Sequence, residues 1–61
     1  MGYKVRAKSK ITGKTYFMMY GSKRQCITYA KKLNEVTQND FIRVIREADE
    51  TIVFEIDNTG R

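Results

Sequence analysis

The sequence predicts an α+β fold: one small domain, residues 1–61, with the order ββαββ and a four-stranded sheet covered on one face by a single helix. Three observations carry this. Residues 3–8 alternate apolar and polar side chains with a period of two, as a half-buried strand does. Residues 22–37 place apolar side chains at helical spacing. Two later segments, 41–47 and 51–57, are rich in β-branched and aromatic residues and flank a short polar turn.

In the first strand Tyr3, Val5 and Ala7 fall on one side, and Lys4, Arg6, Lys8 and Lys10 on the other. The second strand, Thr15 to Tyr20, is aromatic or apolar on both faces, so its register must come from the turn. A three-residue loop, Ile11-Thr12-Gly13, with Gly13 in the left-handed region, sets Val5 opposite Met19, Ala7 opposite Phe17 and Lys8 opposite Tyr16. Phe17 and Met19 then join the core, while Tyr16, Met18 and Tyr20 share the outer face with the cations. A two-residue Thr12-Gly13 turn would exchange the faces and set Phe17 and Met19 beside the lysines. The three-residue loop is preferred because tyrosine tolerates a wet face better than phenylalanine. Both registers put aromatic and methionine side chains among cations.

Ser22 followed by Gln25 matches a capping box and opens the helix. Cys26, Tyr29, Ala30, Leu33 and Val36 share its apolar face, with Ile27 on the flank. The helix is expected to end near Val36 or Thr37, with Asn39 as a left-handed cap. The third and fourth strands follow, Phe41 to Glu47 and Thr51 to Asp57. A three-residue loop, Ala48-Asp49-Glu50, pairs Val44 with Phe54, Ile42 with Ile56 and Arg43 with Glu55.

This layout resembles the immunoglobulin-binding domain of protein G, a β-grasp, which implies the sheet order 2-1-4-3. Thr12-Gly13-Lys14-Thr15 is locally similar to the first turn of ubiquitin. A fold does not carry function, so neither resemblance implies an activity. In the 2-1-4-3 order the outer face holds Tyr16, Met18 and Tyr20, then Lys4, Arg6 and Lys8, then Val53 and Glu55, then Arg43, Ile45 and Phe41. That face is too apolar for an ordinary wet sheet surface.

At 61 residues the chain buries only about 60% of its unfolded surface, so its stability is marginal. With no histidine and one cysteine, Cys26, it has no usual zinc ligand set and no disulfide. Cys26 lies on the apolar helix face and is expected to be a core residue. Glu47, Asp49 and Glu50 cluster without the spacing of a calcium loop and read as a solvated turn. The N-terminus has no signal-peptide pattern and no apolar run approaches a membrane span, so a cytoplasmic protein without membrane contact is expected. Disorder is expected at Met1-Gly2 and from Asn58 to Arg61.

Charge is unevenly placed. Residues 1–32 carry nine basic and no acidic side chains, and residues 33–61 three basic and seven acidic, so the halves are +9 and −4 and sum to +5. A polyanionic partner suits such asymmetry. Nucleic-acid contacts are expected from Lys4, Arg6, Lys8, Tyr16 and Tyr20 on the sheet face, where cations meet phosphates and rings stack on bases. Ser22, Lys23 and Arg24 at the helix start, with Lys4 and Tyr20 nearby, would form a phosphate-binding corner. The alternative is a protein-interaction or inhibitory module using the sheet face or an edge strand, as a monomer or weak homodimer. No catalytic constellation and no cofactor motif is present, so an enzyme is not expected.

Overall fold

A computed structural model describes residues 2–59. It contains β1 (Tyr3–Ser9), β2 (Thr15–Tyr20), α1 (Lys23–Val36), β3 (Asn39–Arg46) and β4 (Thr51–Asp57). The α+β class and the ββαββ order are as expected. The strand order is not: the sheet runs β2-β1-β3-β4 with every neighbouring pair antiparallel. The β-grasp order 2-1-4-3 would put β4 beside β1. Instead β3 takes the centre, and its composition explains why. Ile42, Val44 and Ile45 are all buried, on both faces of the sheet, whereas no residue of β4 is fully buried. A strand able to bury both faces belongs in the middle, and one carrying Glu55 and Asp57 is tolerated at the edge.

The core lies between the sheet and α1. Val5, Ala7, Ile42 and Val44 meet Cys26, Ala30 and Leu33 of the helix, all buried. Burying a side chain such as Val5 or Ile42 contributes roughly 1.5–3 kcal/mol. Ser22 caps α1, its hydroxyl accepting from the Gln25 N–H at 3.2 Å, as the sequence predicts. The other end differs. Thr37, not Asn39, closes the helix, its N–H and hydroxyl both donating to the Leu33 carbonyl. Asn39 opens β3 and is buried, and Val36, expected on the apolar face, is exposed in the last turn.

The β1–β2 register also differs from the preferred one. Tyr3 pairs with Tyr20, Val5 with Met18, Arg6 with Phe17 and Ala7 with Tyr16. The connection is a four-residue loop, Lys10 to Gly13, closed by the Gly13 N–H on the Ser9 carbonyl and the Ser9 N–H on the Lys14 carbonyl, each at 2.9 Å. Ser9 Oγ accepts from the Ile11 and Thr12 N–H groups at 3.2 Å, and Gly13 takes φ +72°. A serine bonding the backbone two and three residues on shapes the turn, and glycine supplies the left-handed residue that leaves it. The loop is longer than either expected form, but its parity is that of the two-residue alternative. Tyr16, Met18 and Tyr20 therefore face the helix, and Phe17 faces outward.

The preference for tyrosine on the wet face fails because these tyrosines satisfy their hydroxyls at the core margin. Tyr16 donates to Asn39 Oδ1 at 2.7 Å. The Tyr20 and Tyr29 rings stack at 4.7 Å between centroids, and the Tyr29 hydroxyl donates to the Met18 sulfur. A tyrosine with a partner for its O–H buries as readily as an apolar ring.

In the second hairpin the expected pairs Ile42–Ile56, Arg43–Glu55 and Val44–Phe54 all form. Nearer the turn Ile45 meets Ile52 and Arg46 meets Thr51, so Val53 is an extra residue in a bulge on β4. Asp49 explains the longer turn: it accepts from Arg46 at 3.1 and 3.3 Å and from the Thr51 N–H at 3.2 Å. The bulge turns Val53 toward the core and leaves Ile52, not Val53, on the outer face.

Asn58, expected to be disordered, is tied down. Its N–H donates to the Asp40 carbonyl at 2.8 Å, and its side chain to Asn34 and the Asn39 carbonyl. Gly2 likewise accepts the Glu47 N–H at 3.1 Å. Met1, Gly60 and Arg61 lie outside the described residues.

Candidate nucleic-acid interface

The helix covers one face of the sheet, and no other element among the described residues covers the second. Because β1 alternates strictly, Lys4, Arg6 and Lys8 all project onto that open face. The flanking strands fill in around them. Arg6 has Phe17 of β2 on one side and Arg43 of β3 on the other; Lys8 neighbours Phe41, and Lys4 neighbours Ile45.

Two phenylalanine rings organise these cations. Phe17 is 55% exposed, with Lys4 Nζ and Arg6 Cζ each 5.6 Å from its centroid. Phe41 has Arg6 Cζ at 5.8 Å and Arg43 Cζ at 4.1 Å. Arg6 therefore bridges the two rings. Each such contact is worth about 0.5–1 kcal/mol when exposed and more when water is excluded. Ile45 is only 6% exposed although it lies on the open face, shielded by the Lys4 stem and Ile52 beside it.

Carboxylates answer most of this charge. Lys4 pairs with Glu50 at 3.0 Å, Lys8 lies 3.9 Å from Asp40, and Arg43 is paired with Glu55. Arg6 has no carboxylate partner among the described residues. Its Nε is shut off from water and makes no hydrogen bond. It also stands directly across from Arg43, a like-charge pair. An unsatisfied donor of this kind costs roughly 1–3 kcal/mol. Arg6 is thus the one of these four cations whose charge no described carboxylate answers.

The residues expected from the sequence separate into three places. Lys4, Arg6 and Lys8 come together on the open face. Tyr16 and Tyr20 lie on the opposite, helix-covered face, so they are not the rings beside those cations. Ser22 is the helix cap, and Lys23 and Arg24 are exposed in the first helical turn. The expected corner of Lys4, Tyr20, Ser22, Lys23 and Arg24 is not assembled, because Lys4 points away from α1 and Tyr20 stacks on Tyr29. Phe17 is the residue the preferred register hid. The signal that finds it is Ser9, whose hydroxyl lengthens the turn and reverses the parity of β2.

Cys26 is fully buried in the helix–sheet core, and burial pushes its thiol pKa up, away from the thiolate that nucleophilic chemistry needs. Among the described residues no cluster of His, Cys, Asp and Glu is placed to hold a metal ion, and no helix is long and apolar enough to cross a membrane. Comparison of the chain with protein-family models, with curated proteins and with solved structures found no match.

Proposed function

We propose that the protein is a non-enzymatic binder of single-stranded nucleic acid, and that the open sheet face is its docking surface. The observation that carries this reading is the Phe17–Arg6–Phe41 array: an exposed ring, a guanidinium without a carboxylate partner, and a second ring in sequence across three strands. Bases stack on rings without regard to sequence, and phosphates meet the cations between them. Phe17 and Phe41 take the role expected of the tyrosines, with Lys4, Arg6, Lys8 and Arg43 on the backbone. Lys23 and Arg24, on the other side of the sheet, serve only a strand long enough to wrap the β2 edge. The buried, unpaired thiol of Cys26 accords with a cytoplasmic setting.

The three carboxylate pairs support the second reading, a protein-binding face, because they leave it less cationic than the sequence suggests. A titration separates the two. Short single- and double-stranded oligonucleotides are added to labelled protein at two salt concentrations, and amide shifts are followed. Shifts centred on Arg6, Phe17 and Phe41 with single strands, weakening steeply as salt rises, are the expected outcome. Absence of any shift there at low salt removes the nucleic-acid reading in favour of a protein partner. Shifts with duplex alone would replace base stacking with groove contact.

A further inference from the structure

We propose that β2 is a self-association edge, pairing antiparallel with β2 of a second copy about a two-fold axis at Phe17. The inference goes beyond the nucleic-acid reading and does not rest on it. A sheet with two open edges normally blunts both, because exposed N–H and C=O groups template strand addition. This sheet blunts only one. The β4 edge carries the Val53 bulge and the acids Glu55 and Asp57. The β2 edge, Thr-Tyr-Phe-Met-Met-Tyr, has no charged residue, no proline and no break in its ladder with β1.

The register says which groups are offered. The Ser9 N–H donates to the Lys14 carbonyl, and with alternation along the ladder the backbone groups of Tyr16, Met18 and Tyr20 point toward β1. Those of Thr15, Phe17 and Met19 point outward, with no described strand beside them. Centring the axis on Phe17 sets Thr15 opposite Met19 of the second copy and joins all three in one ladder. It also lays the two Phe17 rings, each 55% exposed in the monomer, side by side on the open face. The isologous contact closes on itself, giving a dimer with one eight-stranded sheet rather than a fibre.

Only one strand and one ring per copy are buried, well short of the roughly 1,200–2,000 Å² of a stable interface, so the dimer is weak. Charge weakens it further. Antiparallel pairing brings the start of one β2 beside the end of the other, so Lys14 approaches Lys23 and Arg24 of the second copy, all exposed. Salt screens that repulsion, and self-association strengthens as ionic strength rises.

The test is sedimentation of the full chain without nucleic acid, from micromolar to millimolar concentration, at low and high salt. The expected result is a monomer–dimer equilibrium that shifts toward dimer with salt, with concentration-dependent exchange protection of the Phe17 amide. Thr15→Lys, an exposed position at the start of the edge strand, should abolish the dimer while the melting temperature of the monomer holds. A chain synthesised with an N-methyl group on the Phe17 nitrogen should do the same by removing one outward donor; if it misfolds, Thr15→Lys decides alone. A monomer at every concentration, or a dimer that Thr15→Lys leaves intact, overturns the proposal.

Discussion

Both faces of the sheet carry aromatic rings and use them oppositely. On the helix side Tyr16, Met18 and Tyr20 lock into place: Tyr16 bonds Asn39, Tyr20 stacks on Tyr29, and Met18 accepts a hydroxyl. On the open side Phe17 and Phe41 instead lie beneath cations that pass over their rings. The contrast teaches that an aromatic ring is placed by where its polar atom can be satisfied, not by how polar the residue is on average. Asn39 gives the Tyr16 hydroxyl a partner inside, and phenylalanine loses nothing by standing beside an arginine outside.

Substitutions on the two faces sharpen or break that contrast. The largest effect is expected on the helix side. Ile42→Ala empties a fully buried site beneath α1 and should cost about 2–5 kcal/mol, enough to unfold much of so small a domain by thermal denaturation. Next comes Phe17→Ala on the open face. It should weaken single-strand binding by about 1–3 kcal/mol in a fluorescence titration, with stability lowered by no more than its two cation–π contacts are worth, about 1–2 kcal/mol. If Phe17→Ala instead unfolds the protein, the two faces are not energetically distinct. Tyr16→Phe should cost about 1 kcal/mol of stability, through the lost bond to buried Asn39, and leave binding unchanged. A loss of binding there would return the tyrosines to the interface.

Two smaller effects concern the ion pairs at the margin. Glu50→Gln releases Lys4 and should tighten oligonucleotide binding by up to about 1 kcal/mol at low salt, vanishing at high salt. The smallest is a pH effect at the β3–β4 turn. Hydrogen bonds from Thr51, then Arg46, hold the Asp49 carboxyl below its usual pKa. A depressed folded-state pKa contributes stability that is present above the unfolded value, near 4, and is lost as pH falls through the folded one. The melting temperature should therefore drop on acidification below about pH 4, and Asp49→Asn should remove the part of that drop due to this turn.

Much of the fold was legible in the residues themselves. Alternation in Tyr3 to Lys8 set which side of β1 carries Lys4, Arg6 and Lys8, whatever lies beside them. The spacing of Cys26, Ala30 and Leu33 set the buried stripe of the helix, and Ser22 its start. Ile42 to Val44 and Phe54 to Ile56 announced their pairing because that register keeps β-branched and aromatic residues together, whereas the Val53 bulge and the turn one residue longer than the expected Ala48-Asp49-Glu50 loop were not legible there. These are local or period-driven facts, and one strand or one turn suffices to decide them.

What tertiary structure decided was everything that depends on a partner distant in the chain. Thr15 to Tyr20 is apolar on both sides, so its own pattern names no inner face; the hydroxyl of Ser9 in the turn and the side chain of Asn39 across the sheet chose it. The order β2-β1-β3-β4 rests on comparing β3 with β4 as candidates for the centre, a competition that neither strand records alone. The sequence by itself determined that cations and rings would share a surface. Only the folded chain decided that the rings are Phe17 and Phe41, because register, unlike periodicity, is a relation between two segments.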